Sequence, residues 1–291
     1  MKFLSQLISG ISLGSIYALI ALGYTMVYGI AKMLNFAHGD VIMVGAFVVY
    51  TACVKGGMNP VLGVLLAIVF CTVLGVCIER LAYKPLRQAA SLAVLITAIG
   101  VSYLLQNLAL LIFKSDTKQF SSVVMIKPVT VAGLTVSGEI IATIIVSVVI
   151  MVALTLFVNK TKPGKAMRAV SEDKGAAQLM GINVNGIISL TFAIGSALAA
   201  IAGALMCSTY PALSPYTGAM PGIKAFVAAV FGGIGSIPGA MVGGVLLGVI
   251  ENLSKGYISS QLSDAIVFAV LILVLLIKPT GIMGKKMTEK V

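Results

Sequence analysis

Few side chains in this 291-residue chain could do proton or metal chemistry. His38 is its one histidine, and Asp40 follows two positions on at the edge of an apolar run. Two readings fit that pair. Inside a membrane an ionisable pair can relay protons, whereas at the membrane edge the same residues are solvated or cap the helix that follows. Glu139, Glu251 and Asp264 stand at the ends of apolar runs, where snorkelling or capping is the ordinary explanation. No carboxylate pair and no Ser/His/Asp set is recognisable. Cys53, Cys71, Cys77 and Cys207 lie within apolar runs at no metal-ligand spacing, which marks them as reduced packing residues. A nucleotide loop of the form Gly-x-x-x-x-Gly-Lys-Ser/Thr is also missing. So sparse a polar inventory argues against a membrane enzyme.

The elements that must position these residues are membrane helices. The chain carries 20 Lys/Arg and 9 Asp/Glu, is 59% hydrophobic and has a mean hydropathy of +1.09, whereas a soluble domain has roughly a quarter of its residues charged. Its apolar runs are long and continuous, without the alternation of a membrane barrel. They fall near 7–31, 41–54, 60–78, 88–113, 140–159, 187–223, 225–250 and 265–277. The fold class expected is therefore an all-α polytopic membrane protein, one transmembrane domain over 1–291, with about 8 membrane helical segments of roughly 20 residues each.

Three basic clusters orient these segments. Arg80, Lys84 and Arg87 form one, Lys160 to Lys174 a second, and Lys278, Lys285, Lys286 and Lys290 the third; the positive-inside rule makes all three cytoplasmic. Counting from them, the chain between 209 and 262 must begin and end outside, and the N-terminus lies outside as well. Yet 225–250 looks like one more span, and parity forbids a single crossing. Gly232-Gly233-Ile234-Gly235-Ser236-Ile237-Pro238-Gly239 breaks that run into two arms each too short to span, which predicts a re-entrant hairpin over 223–252. A second interruption, Ala31 to Asp40, lies between the first two apolar arms.

Non-helical backbone at membrane depth is tolerated where protein buries it or a wet cavity borders it. The two breaks thus nominate a translocation path lined by Asn35, His38, Gly39 and Asp40 on one side and Gly233, Gly235, Ser236, Pro238 and Gly239 on the other. The half-helices starting near Gly39 and Gly239 would turn positive dipole ends toward a passing carboxylate. The alternative is that both breaks are packing turns. Small residues recur at four-residue spacing in Gly10/Gly14/Ala18, Gly195/Ala199/Gly203 and Ala240/Gly244/Gly248, the pattern that lets membrane helices approach closely.

The loop over 160–186 is the most informative soluble piece. Arg168 closes its basic run; Ser171 reads as an N-cap, Glu172 and Asp173 as first-turn acids and Gly181 as a C-terminal stop, which predicts a helix over 171–180. Ala176, Leu179 and Met180, flanking Ala177, make an apolar stripe on a helix too short to be stable alone. Such a helix needs a partner to dock on.

Leu13-Gly-Ser-Ile-Tyr17 through Gly29, Asn35-Phe-Ala-His-Gly-Asp40, the Gly164-to-Gly181 loop, Lys224 through Gly239 and Lys278-Pro-Thr-Gly281 together resemble the H-type permease subunit of bacterial branched-chain amino acid ABC importers, over essentially the whole chain. That resemblance implies a type II-like importer permease fold in the cytoplasmic (inner) membrane. It implies pairing with an M-type permease, two cytoplasmic ATPase subunits that use ATP and Mg, and an extracytoplasmic protein that binds leucine, isoleucine or valine. No cofactor is expected on this chain itself, and its C-terminus is expected to be cytoplasmic. The helix over 171–180 then becomes the coupling helix seated in an ATPase groove, with Arg168, Ser171, Glu172, Asp173, Ala176, Ala177, Leu179, Met180 and Gly181 as its coupling residues. Three alternatives stay open: an ABC permease for urea, an amide or another amino acid; a passive channel; and an ion-coupled secondary transporter using His38 and Asp40.

Overall fold

The computed structural model describes residues 2–131 and 134–284, so Lys285, Lys286 and Lys290 of the third basic cluster lie outside the described residues. The chain is a helical bundle. In order it forms α1 (Lys2–Ala31), α2 (His38–Tyr50), α3 (Pro60–Ile78), α4 (Ser91–Phe113), α5 (Gly138–Lys160), α6 (Lys162–Glu172), α7 (Lys174–Leu179), α8 (Val184–Thr209), α9 (Ala219–Gly232), α10 (Ile237–Tyr257) and α11 (Ser263–Ile277). A π-helical turn, Thr51–Lys55, extends α2, and another, Glu79–Tyr83, extends α3. Among the described residues, seven helical stretches are long and apolar enough to cross a membrane, with α9 and α11 as shorter apolar helices. That resolves the expected eight apolar runs: the run 187–223 is α8 plus a non-helical stretch that leads into α9.

Local chemistry sets the helix ends. Asn59 caps α3, its side chain accepting from Val61 N at 2.9 Å with Pro60 in the first turn, and Asn183 does the same for α8 through Gly186 N at 3.0 Å. Between α4 and α5 a short hairpin pairs β2 (Val129–Val131) with β3 (Leu134–Val136), while β1 (Lys118–Gln119) pairs with β4 (Ala212–Leu213) beyond α8.

α1 is the axis of the bundle, buried along most of its length from Gly10 to Ala31. The small-residue stripes explain how. Gly14 of α1 lies against Gly244 and Val245 of α10, Gly10 against Gly248 and Val249, and Ala18 against Gly244, so two of the stripes face one another along an antiparallel pair. In lipid no hydrophobic effect drives helices together, and such close backbone packing supplies the association. The third stripe, on α8, receives α2: Gly203 meets Ile42, and Gly45 of α2 meets Ala200.

One end of the bundle collects the close of α1, the α6–α7 pair, the α9–α10 turn and residues 278–284; Gly29 lies beside Gly235, and the Ile282 N–H donates to Phe231 O at 2.9 Å. The other end holds the β segments, joined to α8 where Val123 N donates to Ser208 Oγ at 3.2 Å.

The expected re-entrant hairpin is corrected at this point. α10 has 21 residues, about 30 Å of helix, long and apolar enough to cross a membrane and not the half arm of about a dozen residues expected. Gly243, Gly244 and Gly248 are where α9 and α1 press against it. α9, at 14 residues, stays short and starts inside the bundle beside Gly39. α9 and α10 run antiparallel, joined by the turn at 233–236.

Candidate translocation and coupling site

The first helix break does not dip into solvent. α1 ends at Ala31, Lys32 takes a left-handed φ of 59°, and the chain turns so that α2 restarts at His38 inside the bundle. Asn35, His38 and Asp40 are all buried, and α2 is capped by no side chain. The edge-of-membrane reading, solvation or capping, is therefore wrong. His38 is a wedge: its ring stands edge-on to Tyr24 at 4.9 Å, in space left by the missing side chains of Gly23 and Gly195. Its Nε2 has no hydrogen-bond partner among the described residues. Asp40 points elsewhere, toward α4, where the Gln106 amide donates to its Oδ1 at 2.9 Å. No hydrogen bond among the described residues links the two side chains. Gly39 lets backbones touch, since a Cβ there would stand 2.7 Å from Gly218 O and 3.3 Å from Gly222 Cα of α9.

Gly233, Gly235, Ser236, Pro238 and Gly239 form the α9–α10 turn at the end of the bundle. Gly233 and Gly235 have φ of 108° and 92°, a conformation that suits glycine alone. Ser236 Oγ accepts from Gly239 N at 3.2 Å as the N-cap of α10, with Pro238 in its first turn. The last carbonyls of α9 are met by the 282–283 backbone: Met283 N donates to Gly232 O at 2.9 Å. The bundle brings Gly39 beside Gly218 and Gly222, Asp40 beside Gln106, and the turn at 233–239 beside Gly29.

Sequence reasoning missed the charged cluster that ties α9 down. Lys224 is 6% exposed and Glu251 1%. The Lys224 ammonium reaches Glu251 Oε1 at 2.8 Å and Asp264 Oδ1 at 2.6 Å; Lys255 donates to the same Glu251 oxygen at 2.6 Å, and the Tyr17 hydroxyl donates to Oε2 at 2.8 Å. Glu251 and Asp264 are thus not snorkelling end residues. Their signal was a lone lysine amid apolar sequence, which reads equally well as a loop. A second cluster lies just past the C-terminal end of α3, where buried Glu79 pairs with Arg87 and accepts from Ser189 Oγ at 2.6 Å, while Arg87 reaches Asn185.

The loop helix also differs from expectation. Instead of one helix over 171–180 there are two, α6 and α7, broken at Asp173. Ser171 is no N-cap: it sits in the last turn of α6 and donates to Arg168 O at 2.7 Å, and Glu172 ends that helix. Asp173 is the cap, its carboxylate accepting from Ala176 N at 3.0 Å. An extended residue at Asp173 ends α6 and starts α7 at once, which the acidic run alone could not distinguish from a first turn. Gly181 does stop the helix, at φ 79°. α6 lies on the bundle through buried Met167 and Val170, and α7 through Ala177, whereas Leu179 is 90% and Met180 81% exposed. Ala176 is exposed on the same short helix.

The cysteines are free thiols, and among the described residues no group of His, Cys, Asp and Glu could hold a metal ion. Interrupted helices packed inside an apolar bundle, with seven helical stretches among the described residues long enough to cross a membrane, make the architecture of a polytopic membrane protein.

Comparison with known proteins narrows the class. Residues 6–275 match the branched-chain amino acid transport system permease component family. The chain is 46% identical to the high-affinity branched-chain amino acid transport system permease protein LivH of Salmonella typhimurium, over 99% of this chain and 98% of that one. It is 45% identical to BraD of Pseudomonas aeruginosa over the same shares. A probable branched-chain amino acid transport permease protein LivH from Methanocaldococcus jannaschii is 30% identical over 93% of this chain and 89% of its own length. Among solved structures, PsaBC from Streptococcus pneumoniae in complex with Fab aligns over 94% of this chain and 88% of its own at a TM-score of 0.43 and 16% identity, too loose a likeness to position residues. The chain belongs to this family of ABC importer permeases. Its relatives are transport subunits, which fits the lack of catalytic residues seen in its sequence.

Proposed function

We propose that this chain forms half of the translocation path of an ATP-driven importer of branched-chain amino acids in the bacterial cytoplasmic membrane. An M-type permease supplies the other half. Two ATPase subunits, using ATP and Mg, dock on the end of the bundle that carries α7, and an extracytoplasmic binding protein delivers the amino acid to the opposite end. The positive-inside rule supports this orientation, because Arg87 and the cluster from Lys160 to Lys174 lie at the α7 end. The same orientation puts the N-terminus outside and the residues after α11 inside.

The observation that carries the reading is α7 itself. It presents Leu179 and Met180 almost fully to solvent at the charged end of a membrane protein, where neither lipid nor core can cover them. A groove on an ATPase subunit would. Closure of the ATPase pair then pushes α7, and the break at 32–40 with the short helix α9 is where the bundle has freedom to respond. The Gly39–Gly218 contact between two helix starts lies on this path. Asn35, His38 and Asp40 act by holding the break in shape, and the turn from Gly233 to Gly239 holds α9 to α10.

Replacing Leu179 and Met180 by aspartate is expected to lower ATP-driven leucine uptake at least about tenfold, as loss of a buried hot spot does. The ATPase subunits should no longer copurify in stoichiometric amount, while the variant still reaches the membrane. Wild-type uptake in that variant would sink the docking assignment. Proteoliposomes holding the permease chain alone should not equilibrate leucine; rapid flux without ATP would favour a channel.

A further inference from the structure

The structure holds a direct contact between the docking helix and the first membrane break. The Lys174 ammonium donates to the carbonyl of Ala31 at 2.8 Å, across 143 residues of sequence. Ala31 is the last residue of α1, where helix carbonyls lack partners and the dipole is negative, so a cation there both satisfies a free acceptor and meets favourable charge. The ammonium is partly desolvated and lies near Arg87 and Lys32, which together hold Lys174 below the ordinary lysine range. A lysine serving only solubility would point away from such a site.

We propose that Lys174 is a strut that carries movement of α7 to the break at 32–37, so that docking is felt at the start of α2. This rests on the docking of α7 proposed above. The two ends of α7 have separate tasks. Its N-terminus is fixed by the Asp173 cap and by Lys174, and its far end presents Leu179 and Met180. The segment that receives the movement is short, six residues from Lys32 to Ala37. Lys32 holds a left-handed φ of 59°, which a non-glycine residue adopts only when its surroundings demand it. Asn35 Oδ1 accepts from the Tyr83 hydroxyl at 2.9 Å, and the His38 N–H donates to Asn35 O at 3.1 Å. Beyond lie the His38 wedge and the Gly39 contact with α9. These contacts leave only residues 32–34 between Ala31 and the hydrogen-bonded start of α2.

The test uses the assembled transporter, with its ATPase and binding-protein subunits, in proteoliposomes. Lys174→Met is expected to lower the leucine imported per ATP hydrolysed about tenfold, within the usual range of coupling between sites. Lys174→Arg should restore most of it, because a guanidinium can donate to the same carbonyl. An unchanged ratio in Lys174→Met overturns the proposal, as does a proportional loss of hydrolysis and uptake, which would mark a folding contact. Hydrogen exchange gives a readout that needs no substrate. Nucleotide binding should alter exchange both at 174–182 and at 32–40 in the wild-type complex, and Lys174→Met should keep the first response and lose the second. A persistent response at 32–40 overturns the strut. No response at 174–182 in the wild type means that the docking reading has failed, and the strut falls with it.

Discussion

Glu251→Gln is expected to destabilise the folded chain by about 3 kcal/mol, at the low end for a buried ion pair that loses one partner. Glu251 accepts from Lys224, Lys255 and Tyr17, so its loss of charge leaves Lys224 with Asp264 alone and Tyr17 with a weaker acceptor. Lys255 and Asp264 are partly exposed, and water screens their share of the effect, which is why the upper end of the range is not expected. The damage should concentrate on α9. That helix has 14 residues, and Lys224 is the charged side chain tying it to both α10 and α11. Lys224→Met should cost a similar amount. Combining Lys224→Met with Glu251→Gln should cost clearly less than the two single changes together, since no buried charge of that pair then lacks its partner. Thermal unfolding of the four proteins in one detergent measures this; strictly additive losses would mean that the two side chains act independently.

The second large effect is steric. A Cβ at Gly14 would stand 2.6 Å from Val245 O and 2.7 Å from Val245 Cα, both backbone atoms of α10 that no rotamer change can move. Gly14→Ala is therefore expected to push α1 and α10 apart and to cost about 2–3 kcal/mol, the upper part of the usual overpacking range. Folded yield from the membrane and the unfolding temperature should both fall. Gly100 on α4 is the control, because a Cβ there meets nothing within 4 Å. Gly100→Ala should stabilise its helix by about 0.5–1 kcal/mol through helix propensity alone. Equal behaviour of the two variants would show that the stripes on α1 and α10 do not pack as described.

Much of this was legible from residue types. The run from Ser91 to Phe113 and that from Gly138 to Lys160 could be read directly, since apolar length and flanking charge act over one span at a time. The stop at Gly181 was legible because a left-handed residue is a local requirement. Ser171 misled because Ser171 and Asp173 can both cap, and only the path of α6 over the bundle selected Asp173. The second arm of the hairpin misled because its apolar run was ended at 250, whereas α10 continues to Tyr257 once Glu251 and Lys255 are paired with each other.

By itself the sequence determined that the chain lives in a membrane, where most of its helices run, and which family it resembles. Those properties are sums of local terms: transfer energy per residue, helix length and motif spacing. The tertiary structure decided the depth of the break at His38, the burial of Asp40 against Gln106 and the ties at Lys174 and Glu251. Their partners stand 66 residues apart for Asp40 and Gln106, 143 for Lys174 and Ala31, and 234 for Tyr17 and Glu251. No periodicity of one helix encodes a contact at that range. It arises when glycine faces on α1, α2, α8, α9 and α10 bring the backbones together, and only then does a buried charge find the group that satisfies it.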